Sequence, residues 1–184
     1  MLSVSKLYFV AALLLGASIQ AQAHAIISPA LGVTGTPARS DVQRPSKNAE
    51  CGKANIATDL NTATPIVAKA DGSFAATVTN FNAGTDGSRQ VTALVDPTGT
   101  GKSFTAATVT TNGDKSPTDV GSQQIAVSLP AGTKCAGGTA GNLCLVSFTT
   151  AGGFGNCVAV QQAAASAGTG AAAAGAAGAA GAAG

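Results

Sequence analysis

Tryptophan is absent from this 184-residue chain, and its single tyrosine, Tyr8, falls in an N-terminal segment that reads as a cleavable leader. Without those rings there is no flat aromatic platform on which a sugar could stack. Histidine occurs once, as His24. A lone imidazole excludes a metal site built on two, and a Ser-His-Asp or Cys-His hydrolase would have to use it without any G-x-S-x-G context. Charged residues make up only 10% of the chain, ten Lys and Arg against eight Asp and Glu. So even a balance recruits neither nucleic acid nor an anionic membrane by bulk charge. No N-x-[ST] sequon is present, although abundant Thr and Ser suit O-glycosylation.

What is present begins with a leader. Lys6 precedes the apolar run 7–19, which is too short to span a bilayer, and Ala21-Gln22-Ala23 supplies the small residues of a cleavage site. Residues 1–23 therefore read as a signal peptide. They predict a secreted protein, extracellular or wall-associated, with no membrane attachment after cleavage. Residues 163–184 are almost wholly Ala and Gly. Glycine at about every third position costs ~1 kcal/mol each against a helix, and no apolar face exists, so the expectation is a disordered tail. A lipid-anchor signal would need Leu and Val where this tail has Ala and Gly. Residues 24–162 remain as one domain, expected to be a monomer.

Four cysteines follow the leader, and in an oxidising compartment an even set reads as two disulfides. Three connectivities are possible. Cys135 and Cys144 flank a Gly-rich loop that bends readily, which leaves Cys51 to join Cys157. No C-x₂₋₄-C pair supports zinc.

Residues 25–65 hold Pro29, Pro37, Pro45 and Pro65 with little periodicity, and read as an extended loop-rich arm. Strand patterns follow at 73–80, 90–95, 103–111, 124–129, 142–149 and 156–161, separated by turn signals such as Asp71-Gly72, Asp96-Pro97 and Asn112-Gly113. Phe74, Ala76 and Val78 share one face, as do Ile125, Val127 and Leu129. The spacing predicts an all-β, antiparallel β-sandwich of immunoglobulin or fibronectin type. With no Trp, the five phenylalanines after the leader are expected to supply most of the bulky core.

Thr98-Gly99-Thr100-Gly101-Lys102-Ser103 resembles a phosphate-binding loop, but Asp96 stands where that pattern needs glycine and a strand follows where it needs a helix. A hairpin turn is the better reading. The acidic residues mostly sit in turns, where they cap backbone rather than form a two-carboxylate glycosidase pair. Sugar contacts, if made, rest on Asn, Gln, Thr and Asp. Cleavage after Ala23 would free the α-amine of His24 beside its imidazole. That donor pair resembles half of the copper-holding histidine brace of the lytic polysaccharide monooxygenases, with Asp41 or Glu50 as a third ligand.

Two stretches go beyond composition. Cys135-Ala136-Gly137-Gly138-Thr139-Ala140-Gly141-Asn142-Leu143-Cys144-Leu145-Val146 continues to Gly152-Gly153-Phe154-Gly155-Asn156-Cys157-Val158-Ala159-Val160-Gln161-Gln162. This resembles the C-terminal signature of the fungal secreted Egh-like virulence factors, the appressorium-specific GAS-type proteins. Asn82 to Ser88, leading to Val95-Asp96-Pro97-Thr98, resembles the family's N-x-D-G…D-P-T segment more loosely. Four cysteines, fewer than the family commonly carries, mark a divergent member. The resemblance implies a secreted, non-enzymatic protein of the cell surface or wall, or one that meets a host, with no resident cofactor. Its partner would be wall polysaccharide or a host surface. The alternative is a copper-binding protein related to the monooxygenases, with His24 in an incomplete brace.

Overall fold

The computed structural model describes residues 24–162; the leader and the Ala-Gly tail lie outside the described residues. Eight strands, β1 (Ala25–Ser28), β2 (Ile66–Ala68), β3 (Ser73–Asn80), β4 (Val91–Asp96), β5 (Thr105–Thr111), β6 (Gly121–Ser128), β7 (Leu143–Thr150) and β8 (Gly155–Gln162), carry the fold. One short helix, α1 (Ile56–Thr62), interrupts the arm.

The strands form one continuous sheet in the order β1-β3-β6-β5-β4-β7-β8-β2. The two separate sheets of an immunoglobulin-type sandwich are not what is found, and the reason lies in β5. It pairs with β4 on one side and β6 on the other, and its register shifts between Val109 and Thr111. A bulge of that kind bends a strand and sharpens its twist, so β5 joins what would have been two layers into a curled half-barrel. Pairing is antiparallel except between β2 and β8, which run parallel.

Alternation decides what faces inward. Phe74, Ala76 and Val78 of β3, Ile125 and Val127 of β6, Val91, Ala93 and Val95 of β4, and Val146 and Phe148 of β7 all enter one core. Of the phenylalanines, Phe74, Phe148 and Phe154 are buried, whereas Phe81 and Phe104 are half-covered. β7 and β8 are buried on both faces. Their outer side chains Leu145, Cys157 and Ala159 pack with Leu31, Cys51 and Leu60 in a second cluster. That is why their sequences are near-continuously apolar rather than alternating.

The arm supplies the cover. Ile56 and Leu60, one turn apart on α1, pack into this second cluster. The N–H of Leu31 donates to the carbonyl of Cys157 at 2.8 Å. Cys51 is bonded to Cys157 (Cα–Cα 4.9 Å), fastening the arm to β8. Cys135 is bonded to Cys144 (Cα–Cα 4.7 Å), closing the loop that precedes β7. Where the sequence suggested an irregular arm over 25–65, the structure has β1 and α1, and β2 follows directly after it. Each is too short for periodicity to reveal and is held by tertiary contacts instead.

Candidate functional site

At the edge of the half-barrel, β1 begins beside the turn that joins β7 to β8. The carbonyl of His24 accepts from the N–H of Phe81 at 2.8 Å, extending the pairing of β1 with β3 by one residue. The imidazole lies 4.7 Å from the ring of Phe154, tilted by 50°. Over the same ring, 3.9 Å from its centroid, sits the guanidinium of Arg44. Phe154 is presented by a tight turn in which its N–H donates to Thr150 Oγ1 at 3.2 Å. Gly153 in that turn has φ +77°, a conformation glycine adopts without cost. His24 is therefore packed in place and does not hang at a loose chain end. Burial, above all, holds its pKa below the ordinary 6.5; Asp86 opposes the shift, and Arg39 and Arg44 add to it. Nδ1 is buried without a hydrogen-bond partner.

Asp41 and Glu50 do not join His24. Asp41 ends a 3-10 turn (Arg39–Asp41) and uses Oδ2 to accept the N–H of Ala38 at 2.7 Å. Glu50 precedes the Cys51 half-cystine, and its carbonyl accepts from the hydroxyl of Ser147 at 2.7 Å. Among the described residues no three His, Cys, Asp or Glu side chains form a group able to hold a metal ion. Asp41 instead borders a cavity of about 230 Å³ shared with Gln43, Lys53 and Asp59 and walled by the Cys51–Cys157 bond.

Two polar constructions went unread in the sequence. Asp96 is fully buried at the end of β4, and the loop 97–103 folds around its carboxylate. Oδ1 accepts the N–H and hydroxyl of Thr98 (2.9 and 2.6 Å); Oδ2 accepts the N–H groups of Gly101 and Lys102 (2.7 and 3.0 Å). Burial is the largest single influence and pushes its pKa up. The hydrogen bonds from Thr98, Lys102 and Ser103 together outweigh it and hold the carboxyl below its ordinary value. The phosphate-loop lookalike is thus a hairpin loop whose backbone donors are filled by the protein's own carboxylate. An Asp followed by Pro and a Thr-Gly repeat is the local signal from which it could have been read.

Arg89, only 6% exposed, is the second. Its Nε donates to Asn80 Oδ1 at 3.0 Å and Nη2 donates to Asp119 Oδ1 at 2.9 Å, while Asp114 Oδ2 lies 3.9 Å from Nη1. No local pattern marks this set, because its members come from a strand end and two loops.

No curated protein and no solved structure matches the chain. The family model described as Egh16-like virulence factor matches residues 15–155, which takes in His24, the Asp96 loop, the part of the cavity lining that the arm supplies, and the sheet as far as the first residue of β8. A match over that much of the sequence decides the family: the chain belongs to the Egh16-like virulence factors.

Proposed function

We propose that this protein is secreted by a fungus and acts without catalysis, as a binding protein of its own wall or of a host surface. One observation carries the reading. The buried polar groups are committed to the protein's own structure: Asp96 to the backbone of its loop, Asn156 to the backbone of Ile27, Arg89 to the side chains of Asn80 and Asp119. Groups so committed stabilise a scaffold. Family membership and two cystines support the same conclusion, since cystines persist in oxidising compartments. The test is fractionation of a fungal host expressing the tagged chain. The protein is expected in the medium and the wall fraction. Retention inside the cell, or oxidised or hydrolysed oligosaccharides from cellulose, chitin or β-glucan with a reductant present, would overturn the reading.

A second reading draws on the unpartnered Nδ1 of His24. After cleavage behind Ala23 this nitrogen and the new α-amine would form a two-donor chelate for Cu(II), a capture site rather than an oxidase. Cu(II) titration of wild type against His24→Ala decides it, with equal uptake by both proteins counting against it.

A further inference from the structure

The cavity beside the Cys51–Cys157 bond has a volume of about 230 Å³ and opens to solvent. That is below the ~300 Å³ at which pockets for drug-sized ligands begin, so it has room for one six-membered ring and not for a chain. Part of its lining is apolar, from Leu31, Ala54 and the disulfide; its polar part includes Asp41, Gln43, Lys53 and Asp59.

The polar groups are held in place before any ligand arrives. Gln43 Nε2 donates to the carbonyl of Asp41 at 3.2 Å, and its Oε1 accepts the N–H of Lys53 at 3.1 Å. Asp59 Oδ2 accepts the N–H of Asn55 at 2.8 Å and Oδ1 the hydroxyl of Thr58 at 3.0 Å. A carboxylate has about four acceptor positions, so Asp41 and Asp59 both keep capacity for further donors. The Lys53 ammonium makes no ion pair among the described residues. Gly32, at φ +76°, approaches so closely that a Cβ there would stand 2.6 Å from Asp59 Oδ2. The space exists because no side chain is placed in it.

We propose that this cavity is a subsite for one neutral pyranose residue, at the end or branch of a surface glycan. The proposal deepens the binding-protein reading above and rests on it. A pyranose presents C–H faces to an apolar wall and a rim of hydroxyls to acceptors and donors, which is the division of this lining. Asp41 and Asp59 take hydroxyl protons; Lys53 offers N–H donors to ring or hydroxyl oxygens. The paired carboxylates disfavour a uronate. With no aromatic platform the affinity is weak, with half-saturation at about 1–20 mM.

Titration of the ¹⁵N-labelled full chain with glucose, mannose, N-acetylglucosamine and glucuronate, followed by amide NMR, tests this. At least one neutral sugar is expected to give saturable shifts at Gly32, Lys53 and Asp59, with glucuronate at least about fivefold weaker. Ser40→Trp, at an exposed position on the cavity's border, abolishes those shifts, and Lys53→Gln weakens binding severalfold. No saturable shift with any neutral sugar at ~50 mM overturns the subsite. So do shifts that survive Ser40→Trp, or that map instead to Thr92 and Thr149 on β4 and β7. Export and wall retention are read separately by fractionation. An exported, wall-held protein with no shifts refutes the subsite alone, whereas a protein kept inside the cell refutes the broader reading.

Discussion

Asn156 hydrogen-bonds both backbone groups of Ile27 through its side chain: Oδ1 accepts the N–H and Nδ2 donates to the carbonyl, each at 2.8 Å. One amide thus does for β1 what a neighbouring strand would do, and it ties the first strand of the sheet to β8 where no backbone ladder joins them. Nδ2 also reaches the carbonyl of Cys157 at 2.9 Å.

Removing that amide leaves buried backbone groups unpaired, at ~1–3 kcal/mol each. Asn156→Ala is expected to lower stability by about 3 kcal/mol in urea denaturation. Asn156→Asp is the sharper test. An ionised carboxylate cannot donate to Ile27, whereas a protonated one donates one proton and partly restores the seam. The deficit of Asn156→Asp relative to wild type should therefore shrink on acidification toward pH ~4. A constant deficit would show that the amide's donor matters little.

Asp96 sets an acid limit. Its folded pKa is depressed below 3.8, so the unfolded chain binds the proton more readily. The stability it contributes is complete above about 3.8 and is lost as pH falls through the folded value. Asp96→Asn, whose amide oxygen replaces only some of the accepting positions, is expected to cost about 2–4 kcal/mol at neutral pH and to flatten the loss below pH ~4. An unchanged acid profile in the variant would remove Asp96 from the account.

Six strands were legible: β3 and β6 by alternation, because Phe74-x-Ala76-x-Val78 and Ile125-x-Val127-x-Leu129 each bury one face against one core, and β7 and β8 as apolar runs bounded by turn signals. What escaped is non-local. β1 and β2 have four and three residues, and α1 has seven, too few for a period to register. The closure by Asn156 could not be seen either, because nothing near residue 156 refers to Ile27, 129 positions away. Of the candidate site, His24 was identifiable as the single imidazole, but its contact with Phe154 and the grouping of Asp41 with Asp59 depend on how the arm crosses β8.

The two cystines should differ in worth. Cys51 and Cys157 are 106 positions apart and Cys135 and Cys144 only 9. Loop-closure entropy gives ~5 kcal/mol for the long crosslink and ~3 for the short. Paired Cys→Ala replacement is expected to reproduce that order in denaturant midpoints. The long pair carries a further consequence, since its loss frees the arm that covers the outer face of β7 and β8. Dye binding to exposed apolar surface should rise in that variant and not in the other. The reverse order would mean that the arm stays docked through Leu31, Ile56 and Leu60 alone.

His24 controls stability in a milder pH range than Asp96. Burial leads, with Arg39 and Arg44 adding and Asp86 opposing, in holding its imidazole pKa below 6.5. The unfolded chain therefore takes up a proton that the folded one resists. The neutral ring's contribution is intact above about 6.5 and declines as pH falls from there to the folded value, where the loss levels off. The physical obstacle is visible at Nδ1: protonation there puts an N–H where the structure offers no acceptor. His24→Phe keeps a ring against Phe154 and cannot titrate. Urea midpoints measured with a chelator present, from pH ~7.5 down to ~4.5, should fall for wild type and stay nearly level for the variant, the two curves parting below about 6.5. Parallel curves would mean that the ring accepts its proton without penalty, and that the packing of His24 on Phe154 leaves the imidazole open to water.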